Sequence, residues 1–279
     1  MLRLMLDSHP QLAVPFESGF IVDYYRRLDA YGDLSVRANA ARILRDISHS
    51  PLVRKGYLLP RPEVILDRSV RTYSELVAAI FESYASAEGK EHWGDKTPSY
   101  VTDIEVLRAI FPECKIIHVV RDGRDVALSN RNIKWGIHSL PRVAADWRWK
   151  VTLGHKLGCM LGSDYQLIRY EDLVLEPEST LRLLTCFLGV SYSDAMLAYH
   201  KRCENKIPVD SLLWHRNSVR APDSSLVAQW RCKMSRTDRI IFEQYAADAL
   251  AMFGYELERS LSTIRSRLKS LYFATLKRY

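Results

Sequence analysis

A short segment in the middle of the chain combines an arginine and a serine at a spacing that suits a phosphate group. Arg121 follows an apolar, β-branched run that predicts a strand buried on both faces over residues 114–120. Asp122 and Asp125 are typical of a helix start, which places Arg121 at the carboxyl end of the strand, where open α/β sheets bind ligands. Ser129 comes about two helical turns later. An arginine fork and a hydroxyl along one side of a helix entrance are suited to binding phosphate.

The elements that must hold this segment alternate between helices and short apolar strands. A second buried strand is predicted over residues 165–170. Helices are predicted over residues 177–188, where Gly189 ends the helix, and over residues 235–254, where Ser235 is a typical cap. This alternation predicts an α/β fold with a parallel sheet.

Further motifs occur in the same order as in one enzyme family, and together they are specific although each is weak alone. They are Asp7-Ser-His-Pro10 followed by Glu17, Trp93-Gly-Asp-Lys-Thr-Pro98, the Arg121–Ser129 segment, Arg169-Tyr-Glu-Asp-Leu173 with Pro177, and Phe187-Leu-Gly189. In these motifs the chain resembles the sulfotransferases that use 3′-phosphoadenosine 5′-phosphosulfate (PAPS), most closely the tyrosylprotein sulfotransferases and related bacterial enzymes. The resemblance covers roughly residues 1–255 and implies a P-loop-like parallel sheet flanked by helices.

Glu17 and Lys96 are the catalytic candidates that the resemblance implies. Sulfuryl transfer needs a base for the acceptor hydroxyl and a positive charge at the leaving phosphate oxygen. Glu17 resembles the family's base by its position, and Lys96 resembles the lysine at the leaving oxygen. Because both must reach the transferring group, we expect their heads within about 10 Å of each other. By composition alone, Glu17 would be a solvated loop residue and Lys96 a surface lysine in a turn.

Four residues are implied as contacts of the PAPS donor. Arg121 and Ser129 would bind the 3′-phosphate, and Tyr170 would lie beside the adenosine. Arg220 corresponds loosely to a basic residue in a late loop that closes over the donor. Each of the first three has an alternative interpretation. Arg121 could form a local ion pair with a neighbouring aspartate, Ser129 could be a buried helix serine, and Tyr170 could be a core tyrosine whose hydroxyl is satisfied.

The family's first strand and its Pro-Arg-Ser-Gly-Thr-Thr loop, which wraps the donor's 5′-phosphosulfate, are not in this sequence. Residues 1–10 match the helix that follows that loop. We therefore expect the chain as written to expose sheet edges, to bind 3′-phosphoadenosine 5′-phosphate weakly and to transfer no sulfate. A start site placed too late, or a truncated fragment, is expected ahead of a natural protein without the loop.

Length and charge predict one domain with a basic tail. A chain of 279 residues fits a sulfotransferase-like domain over residues 1–256 and an appended helix over residues 257–279. The net charge is +7, of which six basic residues against one acidic residue in 258–279 give +5 and the remainder +2, so nucleic acid is not an expected partner. The tail combines an apolar stripe with basic residues, and it could lie on an anionic membrane surface, on the domain or on a partner helix.

The remaining composition places the protein in the cytoplasm and favours chemistry without a metal. The five cysteines are scattered and never form a C-x-x-C pair, which indicates reduced thiols. The eight histidines show no metal-ligand spacing. No apolar run approaches the roughly 18–20 residues that cross a membrane, and no signal peptide is visible.

The sequence thus predicts an enzyme that moves a sulfuryl group from PAPS to a hydroxyl acceptor. The acceptor is open among a peptide tyrosine, a sugar and a small metabolite, and residues 18–90 are expected to form its pocket. A competing interpretation is an inactive, truncated or degenerate sulfotransferase-like protein with a binding role. A phosphotransferase of a related P-loop fold is a third, against which the missing loop and the lack of a Mg²⁺-binding carboxylate pattern count.

Overall fold

The computed structural model describes residues 1–56, 58, 62–66, 68, 70–131, 137–201, 203, 206–211 and 217–258. Its α-helices are α1 (Leu2–Asp7), α2 (Ile21–Tyr25), α3 (Arg37–His49), α4 (Pro51–Lys55), α5 (Pro62–Leu66), α6 (Tyr73–Ala87), α7 (Ile104–Ile110), α8 (Gly123–Asn130), α9 (Leu140–Cys159), α10 (Tyr170–Leu175), α11 (Pro177–Leu188), α12 (Trp230–Lys233) and α13 (Arg236–Met252). Residues 259–279, which contain most of the predicted basic helix, lie outside the described residues. The domain boundary at residue 256 therefore stays a prediction.

Short strands form two parallel pairs in the described part of the chain. Strand β1 (Leu12–Ala13) pairs with β2 (His92–Trp93), and β3 (Ile116–Val120) pairs with β4 (Tyr165–Arg169). The parallel pairing confirms the predicted α/β class, and β3 falls within the predicted strand. Because parallel neighbours end at the same edge, the loop after β1 meets the loop after β2, and the loop after β3 meets the chain after β4.

Strand β3 is covered well on one face only, which corrects the expectation of a strand buried on both faces. His118 and Val120 are buried on the face that packs against α9, whereas Val119 on the opposite face is 39% exposed. Helix α9 approaches closely because Gly154 has no side chain. A Cβ there would lie 2.4 Å from Val101 and 3.2 Å from the His118 ring.

Three apolar clusters form the core, and the Glu17 loop lies where two of them meet. The largest cluster contains aromatic and aliphatic side chains from α2, α3 and α6, and Phe20 is its first residue along the chain. A second lies between β3, α9 and α13. The third packs α1 and β1 against α10 and α11 and includes Phe16. Glu17 is thus held between two buried aromatic side chains, Phe16 directly before it and Phe20 three residues after it.

Local signals set several element boundaries as predicted. Gly189 adopts the left-handed conformation, with φ of 80°, and ends α11. The Ser235 hydroxyl accepts a hydrogen bond from the Asp238 amide at the start of α13. Tyr170 begins α10 rather than ending β4, a difference of one residue from the predicted strand.

Candidate active site

The reaction half of the site consists of Glu17 and Lys96 with the two loops that carry them. Glu17 lies in the loop after β1, and Lys96 lies in the loop after β2. The Lys96 ammonium donates a hydrogen bond to Glu17 Oε1 in a direct ion pair, so the predicted proximity of these residues is observed although they lie 79 positions apart. The side chain of Glu17 is 22% exposed and that of Lys96 is 39% exposed, so both can contact a ligand.

A hydrogen-bonded clamp, formed by Ser18, Gly19, Asp95 and Thr97, joins the two loops beside this pair. The hydroxyls of Ser18 and Thr97 donate to Asp95 Oδ2, at 2.7 and 3.1 Å respectively. The Gly19 amide donates to Thr97 Oγ1 at 3.2 Å. Burial raises the pKa of Asp95 to about 6, against the lowering effects of the two hydroxyls and of Lys96. The other oxygen, Oδ1, is sealed from solvent and has no hydrogen-bond partner among the described residues.

The backbone after the clamp is fixed by glycine geometry and by two tyrosines. Gly19 has φ of +67°, and a Cβ there would lie 2.6 Å from Leu52 in α4, so the loop passes directly against that helix. The Ile21 amide donates to the Tyr100 hydroxyl at 2.9 Å, and the Tyr73 hydroxyl donates to the Ile21 carbonyl at 2.8 Å. The end of the loop that follows Glu17 is therefore held in place.

The donor half of the site is the turn from β3 to α8 together with Tyr170. The Arg121 guanidinium lies over the Tyr170 ring, 4.6 Å from its centroid, and Nη2 donates to the Leu226 carbonyl at 3.1 Å. Asp125 Oδ2 lies 3.8 Å from Arg121 Nη2, which is the local ion pair that the sequence left open. Arg121 Nε is buried and has no hydrogen-bond partner among the described residues, whereas the side chain as a whole is 28% exposed, so part of it is open to a ligand.

The other two predicted donor contacts lie at the exposed edge of this half. Ser129 is exposed near the end of α8, so it is not the buried helix serine of the alternative, and no hydrogen bond joins it to Arg121 in the described residues. Arg220 is exposed and lines a cleft of about 380 Å³ that Leu226 also lines. Because Arg121 contacts Leu226, the cleft adjoins the stacked Arg121 and Tyr170.

The sequence did not single out Arg124, the second arginine of the same segment. Arg124 is fully buried, and its guanidinium donates to both oxygens of Asp122, at 3.0 and 2.8 Å, and to Glu243 at 3.0 Å. It also lies 3.5 Å from the centroid of the Trp230 ring. A buried cation with two carboxylate partners holds the turn in place. Spacing does not separate Arg124 from Arg121, because the residue type is the same and only burial differs.

Glu171 is a second anchor that the sequence did not reveal. Its two oxygens accept hydrogen bonds from the Asp122 amide and from the Tyr255 hydroxyl, both at 2.9 Å. The Asp125 carboxylate accepts from the Trp230 amide at 2.8 Å. The turn that presents Arg121 is thus fastened to α10, to α12 and to the chain after α13.

The sequence model of the sulfotransferase family matches residues 1–194 of the 279 in the chain. The chain belongs to the sulfotransferase family. The match contains every predicted site residue except Arg220, which lies beyond it.

Curated relatives extend this similarity across kingdoms. The chain is 30% identical over 207 residues to protein-tyrosine sulfotransferase 1 of Danio rerio, covering 72% of this chain and 52% of that protein. It is 25% identical over 215 residues to the protein-tyrosine sulfotransferase of Drosophila melanogaster, covering 74% and 38% respectively. It is 22% identical over 280 residues to the nodulation protein NoeE of Sinorhizobium fredii, covering 92% and 63%. The chain therefore spans less than two thirds of the length of each of these relatives.

A solved structure supports the fold. The sulfotransferase domain of the olefin synthase from Synechococcus PCC 7002 superposes with a TM-score of 0.62 and 23% sequence identity, covering 92% of this chain and 90% of that chain. At this identity the similarity establishes the fold, and the roles of Glu17, Lys96, Arg121, Ser129, Tyr170 and Arg220 stay predictions.

Two buried histidines of this chain, His9 and His118, serve the scaffold. His9 is buried; its Nδ1 accepts from the Gln11 amide at 3.1 Å, which leaves Nε2 to donate to the Ser191 carbonyl at 2.7 Å. His118 Nδ1 lies 2.8 Å from the Tyr165 hydroxyl, and burial together with the nearby charge of His155 lowers the pKa of His118 to about 4. His118 is therefore neutral at physiological pH.

The described ranges lack two kinds of feature. No cluster of three or more His, Cys, Asp or Glu side chains is arranged there to hold a metal ion. Within the same ranges, no helix combines the length and the apolar character that a membrane crossing requires.

Proposed function

We propose that this protein transfers a sulfuryl group from PAPS to a hydroxyl acceptor, with Glu17 as the base and Lys96 at the leaving oxygen. The observation that carries the proposal is the direct contact of Glu17 with Lys96. The fold brings a carboxylate and an ammonium from distant loops together at the edge of one parallel strand pair, partly exposed, while a second strand pair presents a stacked arginine at its own carboxyl end.

The Glu17–Lys96 ion pair is consistent with a role for both residues before the transfer and another during it. Before the reaction, Lys96 orients the Glu17 carboxylate through their direct contact. In the transfer, Glu17 accepts the proton of the acceptor hydroxyl. The acceptor oxygen then bonds to sulfur while the bond from sulfur to the phosphate oxygen breaks, and Lys96 meets the negative charge that develops on that oxygen.

The residues of the donor half fit the nucleotide end of PAPS, which supplies the activated sulfuryl group. The Arg121 side chain is 28% exposed and could donate to a phosphate oxygen, and Tyr170 offers a ring beside it. Ser129 would add a hydroxyl from the next turns of α8. Arg220 would contribute a positive charge from across the adjoining cleft.

The proposed acceptor is a hydroxyl compound. The names of the relatives include protein-tyrosine sulfotransferases and a carbohydrate sulfotransferase of Mus musculus. These names support a phenolic or sugar hydroxyl, with residues 18–90 supplying the pocket. The five cysteines form no disulfide bond, which supports a reducing, cytoplasmic location.

The test is transfer of radiolabelled sulfate from PAPS to a panel of acceptors. The panel contains a tyrosine peptide, a phenol and an oligosaccharide. The protein is purified as residues 1–279 and as the longest reading frame that contains them. We expect transfer by at least one of these forms and loss of that transfer when Glu17→Gln is introduced into it. Donor binding without transfer to any acceptor by either form would favour the degenerate binding protein instead.

A further inference from the structure

The clamp lies immediately beside both predicted catalytic residues. Ser18 is the neighbour of Glu17 in the chain, and Asp95 and Thr97 flank Lys96 on its two sides. We infer that Asp95 is a positioning residue of the transfer reaction, which holds Glu17 against Lys96 by tying Ser18 and Thr97 to one carboxylate oxygen. This inference rests on the proposed function, in which Glu17 and Lys96 carry the chemistry.

The geometry gives Asp95 this task because both hydroxyls converge on a single atom. Ser18 Oγ and Thr97 Oγ1 both reach Oδ2, so one oxygen sets the distance between the two loops. The Gly19 amide adds a second connection through Thr97. The Glu17–Lys96 ion pair alone is a weak restraint, because partly exposed salt bridges contribute little in water.

The ionised and neutral forms of Asp95 differ in charge but keep the same acceptor. The pKa of Asp95 is raised to about 6 by burial, and the charged or titratable groups that face it are Lys96 and Tyr100. A proton would occupy Oδ1, which has no partner in the described residues, while Oδ2 keeps both hydroxyls. Asp95→Asn imitates that neutral form, whereas Asp95→Ala removes the acceptor.

The experiment separates loss of the clamp from loss of charge. Thr97→Val and Asp95→Ala break the clamp, whereas Thr97→Ser and Asp95→Asn conserve its hydroxyl or its acceptor. Thr102→Val is the matched control, because Thr102 lies in the same segment and its hydroxyl bonds locally to the Ser99 carbonyl. Each variant is made in residues 1–279 and in the longest reading frame that contains them, and turnover is compared in a form that shows transfer.

The first readout is the rate at which trace acetic anhydride labels Lys96, measured by mass spectrometry against Lys150 as an internal standard. The Glu17 carboxylate covers part of the Lys96 nitrogen, so the paired amine is less accessible to the reagent and reacts more slowly. We expect faster labelling of Lys96 in the two variants that break the clamp, and wild-type labelling in Thr97→Ser, Asp95→Asn and Thr102→Val. This readout needs no acceptor and no turnover.

The second readout is kcat and KM for transfer, with donor binding followed by the melting shift that 3′-phosphoadenosine 5′-phosphate produces. We expect kcat to fall by about 10²-fold in Thr97→Val and Asp95→Ala, because a misplacement of about 1 Å has that effect. KM for the donor and the melting shift should be unchanged. The conservative pair should recover most of kcat.

Several results would overturn the inference. Unchanged Lys96 labelling in both clamp-breaking variants shows that Asp95 does not hold the pair, whatever the activity. Equal losses of kcat in Asp95→Ala and Asp95→Asn point to the charge rather than the clamp. If Thr97→Val does not fold, Ser18→Ala replaces it, since it removes one hydroxyl and leaves the Gly19–Thr97 connection. A different result would be full turnover in Glu17→Gln together with faster Lys96 labelling in the clamp-breaking variants. It would reject Glu17 as the base and still support the clamp.

Discussion

The reaction half and the donor half of the site are built from different kinds of contact. In the donor half, Arg124 is fully buried and its partners Asp122 and Glu243 are nearly so, and their hydrogen bonds fasten the turn before any ligand binds. In the reaction half, Glu17 and Lys96 are partly exposed and meet each other directly, and the clamp beside them is formed by hydrogen bonds of hydroxyls and one backbone amide.

This difference separates a fixed anchor from an adjustable pair. A buried charge network tolerates no loss of a partner, because the remaining charge would be left without water or a counter-ion. A partly exposed ion pair can exchange partners when a ligand supplies new charges. We therefore expect variants of the reaction half to change turnover and variants of the donor half to change folding or donor affinity.

The largest expected effect is on turnover, from Glu17→Gln. The amide cannot accept the acceptor proton, so kcat should fall by about 10²–10⁴-fold while the affinity for 3′-phosphoadenosine 5′-phosphate stays within about twofold. Steady-state transfer assays and calorimetry measure the two quantities. Glu91→Gln is the control, since Glu91 is an exposed glutamate whose side chain accepts a hydrogen bond from Gln11. Near-normal turnover in Glu17→Gln places the base elsewhere.

The next effect is on stability, from Arg124→Met. Methionine keeps much of the apolar stem but leaves Asp122 and Glu243 unpaired in the interior, so the free energy of unfolding should fall by about 3–5 kcal/mol. Arg148→Met removes a comparable fork from an exposed pair with Asp248 and should cost about 0–1 kcal/mol. Urea denaturation compares the two variants. Equal losses would remove the distinction between a buried anchor and a surface pair.

A third effect sharpens the assignment of the ligand arginine. Arg121→Lys removes the fork and the stacking on Tyr170, so 3′-phosphoadenosine 5′-phosphate should bind about 10–100-fold more weakly with little change in stability. Calorimetric titration measures the affinity, and Arg148→Lys is the matched control. Unchanged affinity would mean that Arg121 belongs to the scaffold with Arg124.

A smaller effect is expected at the exposed edge of the donor half. Ser129→Ala removes one hydroxyl that would donate to a charged phosphate, so donor affinity should fall by about tenfold. The same titration measures it, with Ser163→Ala as a control in an exposed turn. An unaltered affinity would leave the 3′-phosphate to Arg121 and its remaining neighbours.

The smallest effect is the pH dependence of stability caused by Asp95. Its pKa is raised from 3.8 to about 6, so between these values the folded protein binds this proton more tightly than the unfolded chain. The Asp95 contribution to stability therefore falls as pH rises through this window. Asp95→Asn lacks this titration. As pH rises from 3.8 to about 6, the variant should therefore become about 1 kcal/mol more stable relative to the wild type, a difference that the partial exposure of the residue reduces. Denaturation at several pH values measures the difference.

The contribution of His118 to stability changes with pH in the opposite direction, so His118 serves as the comparison. Its pKa is lowered from 6.5 to about 4, so the unfolded chain takes up the proton first as pH falls. The stability of the wild type should fall as pH decreases through that window, and His118→Gln should lack this loss. Parallel slopes for both variants would contradict the assigned burial of one residue or the other.

The sequence by itself determined the elements whose causes are local. The strand before Arg121, the helix start at Asp122, the left-handed Gly189 and the Ser235 cap each depend on sterics and hydrogen bonds within a few residues, and each lies where the pattern predicts it. The order of the motifs also identified the family, because motifs are read along the chain.

Only the tertiary structure decided how distant residues meet. The Glu17–Lys96 contact depends on β1 and β2 lying side by side, which no local period records. The clamp at Asp95 depends on the same pairing. Arg121 and Arg124 are alike in type and three positions apart, and only the packing of α13 and Trp230 buries Arg124 and leaves Arg121 at the cleft. Burial is a property of the packed chain, and for that reason it separates the ligand residue from the scaffold residue where spacing does not.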